Sequence, residues 1–328
     1  MRPLLVIVGP TGVGKTAVAV HMSTHVGGEI ISMDSLQVYR GLDIGSAKPS
    51  KEEQETARHH LIDICEPEEP YSAAQWALDT RRAIENISSR GKTPIVVGGT
   101  GFYLRALLQP GTLATVAPDA DLRAQWESEA ALHGVEYLHN RLREVDSAAA
   151  NRLHPNDVRR VIRALEVALS NHALTPHHAL TPRMSTHAGR DNAPAPDFDA
   201  LVFGLQMPRE LLYARLEKRI DAMLQDGFMD ELQALVDRGV PPNAPAMMGL
   251  GYKQMRAALT PRMSTHAAAD FSCCVELWKR DTRRYAKRQM TWFRHQLPNV
   301  HWIDVGNTST ENVAAQIAVQ WREKIAVK

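Results

Sequence analysis

The chain has 328 residues, a net charge of +1 and an apolar content of 44%. This length suits one large domain or two moderate ones, and the neutrality means that any nucleic-acid surface must come from local clusters of charge. The three cysteines lack zinc-binding spacing and exclude a disulfide framework, so we expect reduced thiols in a cytoplasmic protein. No apolar stretch approaches the ~18 residues of a membrane span, and the opening MRPLLVIV reads as a core strand rather than a signal peptide.

Short apolar runs alternate with helical stretches along much of the chain. The runs predict buried parallel strands at residues 4–8, 29–33, 94–97 and 200–205. Helical stretches lie between them, notably at 16–25 and 73–89. The alternation predicts an α/β core with a mainly parallel sheet flanked by helices.

A phosphate-binding pattern follows the first predicted strand. The sequence GPTGVGKT matches G-x-x-x-x-G-K-[ST] and occupies Gly9, Pro10, Thr11, Gly12, Val13, Gly14, Lys15 and Thr16. Glycines allow backbone N–H groups to converge on an anion, Lys15 adds a mobile positive charge, and the Thr16 hydroxyl can bind Mg²⁺. The pattern predicts a loop that binds a di- or triphosphate group, with an NTPase-like core around it.

The second half of the chain reads as mostly helical. Residues 118–153 are polar and favour helix without any strand pattern, so they predict a small all-helical insertion. Further helices are predicted at 157–169, 209–238 and 270–295, followed by the short strand HWIDV and a last helix from about residue 310.

The decapeptide ALTPRMSTHA occurs twice, at residues 179–188 and 258–267. The spacing is too long and the unit too short for a solenoid. We interpret the two copies as a duplicated coding segment inserted into surface loops, rather than as a binding peptide.

Two polar residues follow predicted strands at the edge where ligands bind in such sheets. Nucleoside-triphosphatases usually carry an aspartate after a later strand, but here PIVV runs into Gly98-Gly99-Thr100-Gly101, and the carboxylate follows the second strand as Asp34. Either residue could merely cap a turn or a helix. Beside a phosphate loop, the arrangement suits a departing diphosphate at least as well as a transferred phosphoryl group.

A basic segment near the C-terminus, KRDTRRYAKRQMTWFR, holds seven Lys or Arg residues and one acid. On a helix, Arg280, Arg284, Lys287 and Arg288 share one side, with aromatic residues between them. Such a stripe is typical of a surface that binds a phosphate backbone and stacks on bases. Smaller basic groups occur at residues 159–163 and 215–219.

Taken together, the motifs resemble those of tRNA dimethylallyltransferases. The resemblance runs in order over nearly the whole chain, through GPTGVGKT, IISMDSLQVYRGLDIGSAKPS, GGTGFYLRAL, HPNDVRRVIRALEV, GLGYKQM and TRRYAKRQMTWFR. It implies residues 1–110 and 154–328 as a catalytic core ending in tRNA-binding helices, and residues 111–153 as an insertion that closes over the anticodon stem-loop. We also expect a monomer.

The resemblance further implies roles for individual residues. The diphosphate of dimethylallyl diphosphate would lie in the phosphate loop with Mg²⁺ near Thr16. Lys15 and Arg219 would neutralise the departing charge, Asp34 would accept a proton from the adenine amine, and Thr100 would orient the amine or the diphosphate. The adenine would be the one on the 3′ side of the anticodon.

Contacts with tRNA are implied for a larger set, which also includes Asp34 and Thr100: Ser35, Leu36, Gln37, Arg123, Arg159, Arg160, Val161, Ile162, Arg163, Met248, Gly249, Leu250, Gly251, Tyr252, Lys253, Lys287, Arg288, Gln289, Met290, Thr291, Trp292, Phe293 and Arg294. The family usually has a basic residue where Met248 stands. Three other functions stay open at this point: a small-molecule kinase or NTPase, prenylation of free adenine nucleotides, and RNA binding without catalysis.

Overall fold

A computed structural model describes residues 2–109, 119–173, 197–259 and 267–326. The chain divides into two compact units, Met1–Leu108 with Pro196–Lys328, and Gln109–Ala195. The first decapeptide repeat lies outside the described residues, as does most of the second.

The first unit is built on a six-stranded sheet in which every pairing is parallel. The strands are β1 Arg2–Val8, β2 Gly28–Met33, β3 His59–His60, β4 Thr93–Gly98, β5 Phe198–Gln206 and β6 His301–Asp304, in the spatial order β3-β2-β4-β1-β5-β6. The prediction of an α/β core with a parallel sheet is confirmed. The two-residue β3 was not predicted, because a strand that short has no measurable periodicity.

Helices surround this sheet in the first unit. They are α1 Lys15–Val26, α2 Lys51–Thr56, α3 Ala73–Ser89, α4 Gly101–Leu108, α9 Arg209–Gln225, α10 Phe228–Asp237, α11 Tyr252–Leu259, α12 Ala267–Gln296 and α13 Thr310–Ala326. The main core lies between the sheet and helices α1 and α13, where Met22, Ile317 and Trp321 are buried with Leu5 and Ile7. No helix in the described ranges is long and apolar enough to cross a bilayer.

One predicted helix proved to be two. The predicted helix at 209–238 is interrupted at Gly227, whose φ of 98° is left-handed, so α9 ends at Gln225 and α10 begins at Phe228. The break is physically reasonable, because a glycine adopts this backbone conformation at little cost. The apolar faces of both helices are buried, which is why the sequence pattern looked continuous.

The second unit is helical in its described part. It contains α5 Ala120–His133, α6 Val135–Val145, α7 Ser147–Arg152 and α8 Val158–Ala173. The predicted insertion ended at residue 153, but α8 belongs to the same unit, because Val161, Ile162 and Leu165 pack with Leu138 and Leu142 in one core. The boundary predicted at residue 153 is therefore wrong.

A buried ion cluster stabilises the start of β2. Arg90 donates to both oxygens of Glu29 at 2.5 and 2.7 Å, and His60 Nε2 lies 2.7 Å from Oε2. The hydrogen bonds from Arg90, against the opposing effect of burial, lower the pKa of Glu29 from 4.5 to about 2. The carboxylate therefore stabilises the fold above its unfolded-state pKa and loses that effect as the pH falls.

Glu29→Gln is expected to lower the free energy of unfolding by about 1–3 kcal/mol at pH 7, because a charge-assisted pair is removed. The difference from the native protein should shrink as the pH falls from about 4.5 towards 2. Urea unfolding at a series of pH values measures this, with Glu55→Gln on the exposed face of α2 as a control. An unchanged difference at all pH values would contradict it.

Candidate active site

Three loops meet at the carboxyl edge of the sheet, where the neighbouring strands β2, β4 and β1 end. The phosphate loop follows β1, Asp34 follows β2, and Thr100 lies in the turn after β4. Because parallel strands end at the same edge, the predicted catalytic groups come together there. Arg219 reaches the same place from α9.

The phosphate loop has the backbone shape that its glycines predict. Gly12 and Gly14 have φ angles of 80° and 99°, and the Lys15 ammonium donates to the carbonyl of Pro10 at 2.8 Å. A Cβ on Gly12 would lie 2.5 Å from Leu216, so α9 also requires the missing side chain. The loop is thus packed against the helix that carries Arg219.

A polar cavity of about 460 Å³ lies over this loop. Its wall includes Lys15 and Thr16 from α1, Arg215 and Arg219 from α9, and Asp34. Arg215 lies against the loop, with its guanidinium 3.6 Å from the position of a Cβ on Gly14. Lys48 also lines the cavity but is paired with Asp43 and Asp63, so Lys15, Arg215 and Arg219 are the cations that make it suited to a diphosphate.

A second cavity of about 340 Å³ adjoins the first. It is lined by aromatic and apolar side chains, among them Tyr39, Tyr71, Tyr103, Trp278 and Met223. Four residues line both cavities: Thr11, Asp34, Ser46 and Arg219. A bound molecule with an anionic end and an apolar end therefore has a place for each.

Asp34 is held at the junction of the two cavities by the backbone of the residues that follow it. Its Oδ1 accepts the N–H of Leu36 at 2.8 Å and that of Gln37 at 3.4 Å. No hydrogen-bond donor in the described part of the chain pairs with Oδ2. Asp34 therefore caps a turn, the role that the sequence analysis left open beside catalysis. The turn fixes Oδ1, while Oδ2 is available for a proton.

The positive charges of this site are closely packed. Burial lowers the pKa of Lys15 to about 8, Asp34 opposes that shift, and Arg219 adds to it. Burial also lowers the pKa of Arg219, with Asp34 opposing and Arg215 adding. Arg219 thus repels Lys15, and Arg215 repels Arg219. A bound polyanion would relieve this repulsion.

The Thr100 side chain is not part of the wall of either cavity. Its hydroxyl is buried beside the Tyr285 hydroxyl and forms no hydrogen bond of ordinary geometry. Burial raises the pKa of Tyr285, as does the nearby charge of Asp34. Tyr285 therefore stays protonated and presents an O–H group near the aspartate.

The side chains of the polar cavity fit a Mg²⁺ ion that is bound mainly by oxygen atoms of the substrate. No group of three His, Cys, Asp or Glu residues able to hold a metal occurs in the described ranges. The polar cavity nevertheless has the Thr16 hydroxyl and the carboxylates of Asp34 and Glu53 in its wall. Magnesium commonly binds through one or two protein groups together with phosphate oxygens and water.

Several residues of this site were not predicted as part of it. Arg215 was predicted only as a member of the basic group at residues 215–219, and its position one helical turn before Arg219 places it on the same face. Glu231 had no sequence signal, yet it accepts the N–H groups of Asp43, Ile44 and Gly45 at 2.6, 2.7 and 3.0 Å. It thereby shapes the loop that leads to Ser46.

Six residues of the predicted tRNA-binding set are buried and serve packing. Tyr252 donates to Glu231 at 2.6 Å, and Gln289 binds backbone groups inside the core. Folding covers these residues, which disfavours direct contact of their side chains with RNA, and their place in the tRNA-binding set stays a prediction: Val161, Ile162, Gly251, Tyr252, Gln289 and Phe293.

Other members of the set are exposed: Ser35, Arg159, Arg160, Met248, Lys253, Lys287, Arg288, Thr291 and Arg294. The half-buried Leu36, Gln37, Gly249, Leu250, Met290 and Trp292 lie between these extremes. In the helical unit, Arg123 and Arg163 both bind the buried Glu166, at 2.9 and 2.5 Å. Their charges are therefore partly neutralised within that unit.

Comparisons with known proteins identify the family of this chain. A family model described as IPP transferase matches residues 37–296. The tRNA dimethylallyltransferase of Thermomicrobium roseum is 45% identical over 304 residues, which cover 93% of this chain and 87% of its own. The chain belongs to the IPP transferase family. The tRNA dimethylallyltransferase of Pelotomaculum thermopropionicum is 43% identical over 97% of this chain and 96% of its own.

Solved structures of the IPP transferase family share the fold. The full-length tRNA isopentenylpyrophosphate transferase of Bacillus halodurans matches with a TM-score of 0.69 at 36% identity, over 100% of this chain and 99% of that one. A eukaryotic dimethylallyltransferase acting on tRNA matches with a TM-score of 0.74 at 26% identity, over 96% of this chain and 77% of that one. The predicted P-loop-like core is thus the fold of this transferase family.

The state of Lys15 gives a pH-dependent prediction for this IPP transferase. Because its pKa is about 8 without a ligand, the ammonium loses its proton as the pH rises, and binding of inorganic diphosphate should then weaken. Relative to Lys15→Arg, which stays charged, the native affinity should fall by up to about tenfold per pH unit above pH 8. Calorimetric titration of both proteins from pH 7 to 10 measures the two affinities. Their ratio cancels the effect of the protonation of diphosphate itself. Parallel curves would contradict this assignment.

Proposed function

We propose that this protein transfers the dimethylallyl group of dimethylallyl diphosphate to N6 of the adenine on the 3′ side of the anticodon in tRNA, releasing diphosphate. The relatives named tRNA dimethylallyltransferase support the activity. The observation that carries the assignment in this chain is the position of Asp34 and Arg219 in the walls of both cavities. The bond to be broken, between an anionic and an apolar group, would lie at that junction.

Asp34 is the group suited to receive the proton. The N6 nitrogen attacks C1 of the allyl group, the N–C bond forms as the C–O bond breaks, and the electron pair leaves with the diphosphate. Asp34 Oδ2 accepts the proton that N6 loses, while Oδ1 stays bound to the Leu36 N–H. Tyr285, in the wall of the aromatic cavity, would orient the adenine amine through its hydroxyl, with the buried Thr100 hydroxyl beside it.

The cations of the polar cavity would stabilise the leaving group. Lys15, Arg215 and Arg219 surround the space above the phosphate loop, and fixed charges in a partly buried site stabilise developing negative charge strongly. Mg²⁺, held by Thr16 and the diphosphate, would supply further charge neutralisation when bound.

The packing at the end of β4 disfavours the kinase or NTPase alternative. A Cβ on Gly98 would lie 2.1 Å from the carbonyl oxygen of Met33, so no aspartate fits there. The usual carboxylate that organises a nucleotide-bound metal is therefore excluded from that strand.

The deciding experiment is mass analysis of unmodified tRNA after incubation with the protein, Mg²⁺ and dimethylallyl diphosphate. We expect a gain of one C₅H₈ unit at the adenine next to the anticodon. AMP as acceptor tests prenylation of free nucleotides, and ATP turnover without RNA tests the NTPase alternative. ATP hydrolysis without any prenylated RNA would overturn the proposal.

Asp34→Asn is expected to lower kcat by about 10²–10⁴-fold, because the base is removed. Asparagine retains an oxygen for the Leu36 N–H, so the turn should persist and tRNA binding should stay within about threefold of native. Single-turnover rates and filter binding measure the two effects. A native rate in the variant would exclude Asp34 as the base.

Lys287→Gln combined with Arg288→Gln should weaken tRNA binding, because each removed cation leaves one RNA phosphate without its neutralising partner. The slope of log K against log salt should decrease by about 1 for each such phosphate. Both side chains are exposed, and no carboxylate in the described ranges pairs with them. Lys279→Gln is the matched control on the same helix, since Lys279 is paired with Asp221 at 2.6 Å. Equal salt slopes in the double variant and the control would refute a role for this pair in RNA binding.

A further inference from the structure

Gln289 joins three elements of the active-site core through one buried amide. Its Oε1 accepts the N–H of Thr11 in the phosphate loop at 2.8 Å, and its Nε2 donates to the carbonyl of Gly99 after β4 at 2.9 Å. Gln289 itself belongs to α12. The proposed chemistry does not use this side chain, so its position needs another explanation.

The glycines of the GGTG turn permit this close approach. A Cβ on Gly99 would lie 2.2 Å from Nε2 of Gln289, and a Cβ on Gly101 would lie 2.3 Å from the ring of Trp292. Both contacts come from α12, one turn apart. The turn is therefore shaped to receive this helix.

The outer side of the same helix segment carries a basic groove of about 500 Å³. Its wall consists of Arg284, Lys287, Arg288, Thr291, Trp292, His295 and Gln296. Trp292 belongs to both sides, because its ring packs on Gly101 and also lines the groove. Lys287 and Arg288 immediately precede Gln289 in the sequence.

We infer that Gln289 is a positioning residue that couples RNA binding in this groove to the conformation of the phosphate loop. The inference rests on the proposed function for the identity of the two ligands. Any displacement of α12 on RNA binding moves the amide, and with it the peptide groups of Thr11 and Gly99. We expect RNA to tighten diphosphate binding, and linkage then requires that diphosphate tightens RNA binding by the same factor.

The coupling is measured by calorimetry without turnover. Inorganic diphosphate with Mg²⁺ is titrated into the protein with and without a saturating anticodon stem-loop RNA hairpin. In the native protein the hairpin is expected to tighten diphosphate binding by at least about fivefold, the lower range of typical coupling. In Gln289→Met, which lacks both polar atoms, the factor should fall below about twofold, while the hairpin alone binds within about threefold of native.

A second variant and a control separate positioning from folding. Gln289→Glu retains the acceptor for Thr11 but, when ionised, cannot donate to Gly99, and it should also lose most of the coupling. Gln233→Met is the matched control, because Gln233 is exposed on α10 and binds Asp237. Thermal unfolding identifies which variants are folded, and either folded variant suffices.

Several outcomes would overturn the inference. One is native coupling in a folded Gln289 variant. Another is a fall in the diphosphate affinity of such a variant that is equal with and without RNA. A third is a coupling factor of one in the native protein. Coupling that is intact in a protein unable to prenylate tRNA would count against the proposed function alone. Two ligands that bind independently to an active enzyme would count against Gln289 alone.

Discussion

The site depends on the burial of two positive charges, those of Lys15 and Arg219. Burial is the largest cause of the lowered pKa of both groups and Asp34 opposes it, while Arg219 adds to the shift of Lys15 and Arg215 adds to that of Arg219. A site with this balance favours an anion over an empty state, because a bound diphosphate offsets both the lost hydration of these cations and the repulsion from their neighbours. The energy for stabilising a departing diphosphate is therefore built in before the substrate arrives.

The parts of this site that could be predicted from the sequence are those that parallel-strand topology brings together. GPTGVGKT follows β1, Asp34 follows β2 and Thr100 follows β4, and these three strands are neighbours in the sheet. Strand patterns and the rule that ligands bind at carboxyl ends were enough to place the three groups at one edge. Arg219 was reached only through the family resemblance, because nothing in a single helix indicates which of its faces meets a loop about 200 residues earlier.

Other features depend on packing that a linear pattern does not contain. The sequence predicted one continuous helix at 209–238, because the apolar faces of α9 and α10 are both buried. Gly227 nevertheless turns the chain between them. Val161 and Ile162 lie within a basic segment and were assigned to RNA contact, but their side chains form the core of the helical unit. A basic helix that also closes a core must alternate exposed cations with buried apolar residues. Membership in a basic segment therefore does not identify the side chains that touch a ligand.

The close packing of β2 against β4 explains why the carboxylate of this site stands where it does. Gly98 pairs with Met33 across the two strands, and its missing side chain lets the Met33 carbonyl approach. An aspartate at the end of β4 would collide with that carbonyl, whereas the residue after Met33 is free to turn back on its own amides, as Asp34 does. An acid after β2 instead of β4 lies at the boundary between the polar and aromatic cavities, where Asp34 lines both. That single displacement exchanges a group suited to phosphoryl transfer for one suited to accept a proton from a nucleophile attacking carbon.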